Sequence, residues 1–364
     1  MQAVSVAVVG GGRWARALMQ RLSHSRSSFR TNLGRVMRYQ PPADLPRIAT
    51  FVEPPERPAK PPSLPSNRSG GDATVQISAD ALLFAAGEIY GDTIDLHELA
   101  EADLIILAVP AAKVKPLLET LGGVLHARQT LVHAIGSFAP VLGAGGQELV
   151  PVSELVQRET PIVQIGALAG PAMAEDLEED FPVALACGSP SATVTTMAQQ
   201  VLHSPLLRIY SCSDLVGVET ARALTGVMAL ACGVADSLGF GPAGRALLVA
   251  AGTAEMARLG VVLGGLEKTF WSAAGAGELI VATERRGAPD FQLGRLLGQG
   301  ASLGDAYRQI DRACDGLNMV REGFLLAQRS RLTMPIIGAL YRWVSGKMDL
   351  RSSMTELVER ELRL

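Results

Sequence analysis

The chain has 364 residues, 48% hydrophobic and only 5% aromatic, with a formal net charge of −3. That length suits two domains rather than one, and the mild acidity argues against a nucleic-acid partner or an anionic membrane surface. The four cysteines, Cys187, Cys212, Cys232 and Cys314, are widely spaced with no C-x-x-C pair. They read as reduced thiols of a cytoplasmic protein, with no metal site.

The chain opens on a strand-like run at 5–9, so no leader peptide is expected before the fold. The run enters a helical pattern through Gly10, Gly11 and Gly12, with Ala15 at the third small position of G-x-G-x-x-G/A. Such a turn presents backbone N–H groups to a pyrophosphate, and the small third residue lets helix and strand approach. A second strand is expected at 35–39. Nine prolines between Pro41 and Pro65, followed by NRSGGD at 67–72, mark an insertion over about 41–72 that cannot pair inside a sheet. Regular patterning resumes with a strand at 73–77, a helix at 95–100 and a continuous apolar strand at 103–110, as a strand covered on both faces requires. A helix at 114–121 and strands at 130–135, 183–187 and 206–210 continue the alternation. Residues 1–212 therefore read as a doubly wound α/β domain with a mainly parallel sheet.

From residue 213 to 364 helical periodicity replaces strand signals, predicting helices at 215–238, 243–263, 266–271, 278–284, 291–299, 303–308, 317–329 and 334–345. The most apolar region, 227–266, is interrupted by Asp236, Arg245, Glu255 and Arg258, so no membrane span is expected. A helical domain behind a nucleotide-binding domain typically closes a cleft over the cofactor's reactive end.

Several spaced segments occur in an order that resembles the bacterial NAD(P)-dependent glycerol-3-phosphate dehydrogenases. They are GGGRWARAL from Gly10, ADLIILAVP from Ala102, AGPAMAED from Ala169, SDLVGVETARAL from Ser213, GVADSLGFG from Gly233, AEMARLGVVLG from Ala254 and GAGELI from Gly275. The resemblance implies a Rossmann domain followed by a helical substrate domain, a homodimer, and NAD or NADP as cofactor. It also implies hydride transfer between the cofactor and dihydroxyacetone phosphate or sn-glycerol 3-phosphate. The positions it assigns to the cofactor are Gly10, Gly12, Arg13, Trp14, Ala15, Pro110, Gly170, Ala174, Val320 and Glu322. Arg38, near the end of the expected second strand, would favour a 2′-phosphate.

The sequence departs from this pattern where the chemistry lies. Ile135 and Thr225 stand where the family has lysines, Gly226 replaces an asparagine, Glu278 replaces an aspartate, and Ala288, Pro289 and Asp290 replace a phosphate-binding Ser-Arg-Asn. Each lost charge-assisted contact is worth about 1.5–3 kcal/mol. His133 shares a strand face with position 135 and could supply a proton. Arg222 shares a helix face with Thr225 and could hold an anion or polarise a carbonyl, or else only pair with Glu219. His133, Arg222, Thr225 and Glu278 are therefore the candidate catalytic positions. Arg285 and Arg286 are further cations nearby. Two readings follow: an oxidoreductase acting on a small phosphorylated or carbonyl substrate, or an inactive homologue that serves as a dinucleotide sensor or interaction scaffold.

Overall fold

The computed structural model describes residues 6–10, 12–24, 48–49, 96–143, 146–284, 288–310 and 314–361. Its first half runs β1 (Val6–Val9), α1 (Arg13–His24), β2 (Ile48–Ala49), α2 (Leu96–Glu101), β3 (Leu104–Leu107), α3 (Val114–Leu121) and β4 (Thr130–His133). A hairpin of β5 (Ala139–Gly143) and β6 (Gly146–Val150) follows, then α4 (Val152–Glu159), β7 (Gln164–Ala169), α5 (Ala174–Glu178), β8 (Val183–Gly188), α6 (Ala192–Leu202) and β9 (Leu207–Cys212). One seven-stranded sheet results, in the order β2-β1-β3-β4-β7-β8-β9. Neighbours are parallel except for β7 and β8. Every residue of β1, β3 and β4 is buried, which is why these strands read as unbroken apolar runs.

The register is what matters for function. Val9 pairs with Leu107, Leu107 with His133, and His133 with Ala167. The ends of four strands thus lie side by side, and the turns that leave them collect along one rim of the sheet. In open α/β sheets that rim is where ligands bind.

The strand expected at 35–39 lies outside the described residues, as do the strand expected at 73–77 and most of the proline-rich segment. The second strand described is Ile48–Ala49, inside the segment whose prolines argued against pairing. It pairs with β1 at the sheet's edge, where only one side of a strand is used and nearby prolines are tolerated.

The sheet ends at Cys212 and the helical half begins with α7 (Leu215–Ser237). Then come α8 (Gly241–Val262), α9 (Glu267–Phe270), a π-turn at Ala273–Gly277, α10 (Glu278–Glu284) and α11 (Pro289–Gly298). Next come α12 (Leu303–Ile310), α13 (Gly316–Arg329), α14 (Pro335–Val344) and α15 (Leu350–Glu356), which runs into a π-helical turn at Leu357–Glu361. Asp214 caps α7 by accepting from Gly217 N at 2.8 Å. Its other oxygen accepts from Leu266 N at 2.8 Å and Thr269 Oγ1 at 2.6 Å, so one buried carboxylate fixes the start of α7 against α9.

The charges within 227–266 predict no membrane span, yet α7 is long and apolar enough by length and composition, with a mean hydropathy of 1.4 over its best window. Packing explains the apolarity, because 83% of that window is buried inside the protein. The axis of the helical core is α7, and it crosses its neighbours at glycines. A Cβ at Gly233 would lie 2.0 Å from the Phe291 carbonyl oxygen, and one at Gly294 would lie 2.1 Å from that of Leu230. At the other end of the crossing, a Cβ at Gly316 would meet the Gly226 oxygen at 2.4 Å. Backbones touch there, with no room for a methyl group.

Gly294→Ala is expected to destabilise the protein by about 1–3 kcal/mol in urea unfolding, the usual cost of overpacking. Gly304→Ala on α12, where the nearest atom to a new Cβ is 3.6 Å away, should be neutral or stabilising. Equal effects at the two positions would refute the backbone-contact reading of the α7–α11 crossing.

Candidate active site

The glycine turn is sealed on one side and open on the other. A Cβ at Gly10 would lie 2.2 Å from the Ala108 carbonyl oxygen, so the end of β1 is pressed on the end of β3. At Gly12 no atom of the described residues lies within 4 Å of a Cβ, while Ala15 is 1% exposed and packs α1 against the sheet. This is a strand-side seal, an open approach for a phosphate chain and a close helix contact, in the order the fingerprint requires. A dinucleotide therefore fits the residues present.

Arg13 and Trp14 leave the turn toward the loop after β7. Arg13 Nε donates to Glu178 Oε1 at 2.9 Å, its guanidinium also pairs with Glu175, and both carboxylates hold its pKa up. Trp14 Nε1 donates to the Ala172 carbonyl at 2.9 Å. The loop carrying Gly170 and Ala174 is thereby drawn beside the glycine turn. Gly170 takes a positive φ of 148°, and a Cβ there would lie 2.7 Å from the Ala184 oxygen, so the loop too runs backbone against backbone. Pro110 leads β3 into a short 3₁₀ turn on the same rim. Val320 is fully buried in the helical core and Glu322 half-buried two residues further along α13. Arg38, Arg285 and Arg286 lie outside the described residues.

Two buried carboxylates join the helical half to this rim. Glu278, the first residue of α10, is positioned by the π-turn, in which a Cβ at Gly275 would lie 2.1 Å from the Phe270 oxygen. Its Oε2 accepts from Gly170 N at 2.9 Å, and its Oε1 pairs with Arg222 Nη1 on α7. Glu219, one turn before Arg222, accepts from Ser153 N at 2.9 Å and Ser153 Oγ at 2.6 Å at the start of α4. Its Oε1 also lies 3.4 Å from His133 Nε2 at the end of β4. Burial would raise the Glu219 pKa, but the His133 imidazole and the Ser153 donors outweigh it and hold this carboxyl below its usual range. Among the described residues, neither nitrogen of the buried His133 meets a partner within hydrogen-bonding geometry, the Glu219 contact being the polar approach to Nε2.

The alternative pairing of Arg222 with Glu219 is thus corrected. Ser153 and His133 occupy Glu219, and Arg222 reaches across to Glu278. The i, i−3 rule sees one helix, whereas the partner lies on another. Thr225 is buried with its hydroxyl donated to the Ala221 carbonyl at 2.9 Å, and Ile135 is 2% exposed in the core around the sheet. Neither carries an ionisable proton.

Beyond Arg222 lies a pair of carboxyls, Asp290 on α11 and Asp315 at the start of α13, whose meeting the sequence does not signal. Burial, and then Asp315, push the Asp290 carboxyl up to about 7, against the lowering influence of the Gly316 N–H and Arg222. Burial likewise raises Asp315, opposed by Arg222. Burial lowers the Arg222 pKa, and the two aspartates work against that.

The comparisons with known proteins agree on one family. The model for the NAD-dependent glycerol-3-phosphate dehydrogenase N-terminus matches residues 91–195, and that for the C-terminus matches residues 214–355. A glycerol-3-phosphate dehydrogenase of Macrococcus caseolyticus, described as NAD(P)+-dependent, is 30% identical over 263 residues, covering 71% of this chain and 77% of its own. Its counterpart from Halalkalibacterium halodurans is 31% identical over 252 residues, covering 68% and 71%. The crystal structure of a Coxiella burnetii glycerol-3-phosphate dehydrogenase superposes with a TM-score of 0.76 at 22% identity, covering 98% of this chain and 99% of that one.

The raised Asp290 pKa has a signed consequence for stability. Because the folded state holds this proton more tightly than the unfolded state, with a usual value of 3.8, the favourable contribution is complete at low pH and is lost as pH rises to about 7. Asp290→Asn should therefore stabilise the protein by about 1–3 kcal/mol at pH 8 and have little effect at pH 4, read by thermal unfolding. A pH-independent effect would refute the assignment.

Proposed function

Because the chain belongs to the NAD-dependent glycerol-3-phosphate dehydrogenase family, we propose that it is an NAD(P)-dependent oxidoreductase acting on a small carbonyl compound or the corresponding alcohol. The observation that carries this reading is the single contact chain from the glycine turn to α7: Trp14 to Ala172, Gly170 to Glu278, and Glu278 to Arg222. It links the glycine turn to the charged groups on α7 and α10 through the loop after β7. A dinucleotide held there supplies the hydride. The backbone at Gly12 and the start of α1 would hold its pyrophosphate, with Gly10, Ala15, Pro110, Gly170 and Ala174 shaping the walls. Arg222, held by Glu278, would polarise a substrate oxygen but cannot give up a proton. His133, 3.4 Å from Glu219 at the strand end that leads into Ile135, would be the general acid. The free thiols of Cys187, Cys212, Cys232 and Cys314 support a cytoplasmic setting, and the resemblance supports a homodimer.

A second reading, dinucleotide binding without turnover, is favoured by Ile135 and Thr225 where the family resemblance expects lysines. Two measurements separate the readings. Calorimetry with NAD and with NADP should show binding, and Gly12→Val should weaken it by at least ~10-fold without loss of fold, since no atom lies near that Cβ. Oxidation of the reduced cofactor by a panel of carbonyl compounds should then reveal turnover, and binding without any turnover would overturn the oxidoreductase reading. In the active enzyme His133→Ala should lower kcat by ~10²-fold or more; an unchanged kcat removes His133 from proton transfer.

A further inference from the structure

The carboxylate beside His133 bears on how that imidazole can move a proton. His133 closes β4, and its register neighbours, on the same face of the sheet, are Leu107 on β3 and Ala167 on β7. Both are apolar. Among the described residues the polar group that approaches the buried ring is Glu219 on α7, whose Oε1 lies 3.4 Å from Nε2.

The setting of Glu219 decides which way that ring carries its proton. Its Oε1 accepts from Ser153 N at 2.9 Å and its Oε2 from Ser153 Oγ at 2.6 Å, so the start of α4 fixes the plane of the carboxylate. These donors and His133 hold the carboxyl below its usual range despite its burial. An ionised carboxylate only accepts hydrogen bonds, so the imidazole nitrogen turned to it carries a proton. Nδ1 is then the nitrogen left to take up or release one. It is buried and meets no partner among the described residues, a state that costs stability in a histidine whose role is only to pack.

We propose that Glu219 is the positioning residue of the proton transfer: it fixes His133 as the Nε2–H tautomer, leaves Nδ1 for the reacting oxygen, and balances the charge of the imidazolium from which the proton departs. This inference rests on His133 being the general acid of the preceding section. In the reductive direction the Nδ1–H bond breaks toward the carbonyl oxygen as hydride from the reduced dinucleotide adds to the carbonyl carbon. An O–H bond forms, the ketone becomes the alcohol, and the imidazole is left neutral. Oxidation of the alcohol returns the same proton to Nδ1. A separation of 3.4 Å is long for a hydrogen bond, as catalytic contacts often are before substrate binds, and it tightens once the imidazole is charged.

The test has a spectroscopic arm and a turnover arm, both on the full chain. Long-range proton–nitrogen NMR, with the His133 signals assigned by their loss in His133→Ala and read above the pH at which this imidazole loses its charge, should show the proton on Nε2. A proton on Nδ1 overturns the proposal. In turnover with the dinucleotide and dihydroxyacetone phosphate, Glu219→Gln keeps an oxygen for Ser153 N and removes the charge. It should lower kcat by ~10-fold or more while the dinucleotide Kd and the KM for the ketone change by less than about 3-fold. In a His133→Ala background the same replacement should have no further effect, because Glu219 acts through the imidazole. An equal fall in both backgrounds assigns Glu219 to the fold alone and overturns the proposal. If Glu219→Gln does not fold, Ser153→Ala, which keeps the backbone donor, provides the same cycle with a smaller fall expected. Absence of turnover counts against the oxidoreductase reading, while the tautomer still decides whether Glu219 sets the imidazole.

Discussion

The placement of α7 depends on two buried carboxylates whose hydrogen-bond donors belong to the other half of the chain. Glu219 is held by Ser153 and Glu278 by Gly170, in both cases through a backbone N–H. Desolvating a carboxylate is costly, and removing one partner of such a buried pair typically costs about 3–5 kcal/mol. The penalty makes the relative position of sheet and helices specific in a way that apolar contact alone does not. Once α7 is fixed by these two anchors, Arg222 has one direction in which to extend, and the α11 and α13 helix starts fall where Asp290 and Asp315 meet.

Much of this architecture follows from local pattern. The apolar runs that become β3 and β4 need burial on both faces, and the helix limits at Val114–Leu121 and Glu278–Glu284 coincide with those the periodicity predicts. The edge strand Ile48–Ala49 was hidden because two residues carry no period, and its prolines point the other way. The hairpin and α4 also escape a reading based on continuous runs, although α4 supplies Ser153. In the cleft, individual residues were visible but their partners were not. His133 and Arg222 stand out by type and spacing, whereas the carboxylates that hold them are chosen by tertiary geometry. Asp315 lies 25 residues beyond Asp290 in the numbering of the chain and has no motif around it, so only the fold brings the two together.

The shape of this chain rests on close backbone contacts. Over 98% of its length it follows the Coxiella burnetii structure at 22% identity, a likeness of fold. The contacts that preserve that fold, such as the Asp214 cap, the Gly10 and Gly170 close approaches and the α7 crossings, involve backbone atoms.

The glycine crossing of α7 with α11 and α13 sets how closely these helices approach. At Gly226, Gly233, Gly294 and Gly316 the interface has no side chain to vary, so the helices meet at a spacing that amino-acid replacement elsewhere leaves untouched. Asp290 at the start of α11 joins this crossing, since its Oδ1 accepts from Gly316 N at 2.9 Å. The spacing of the helical core is therefore set by side chains the sequence leaves out at these four positions.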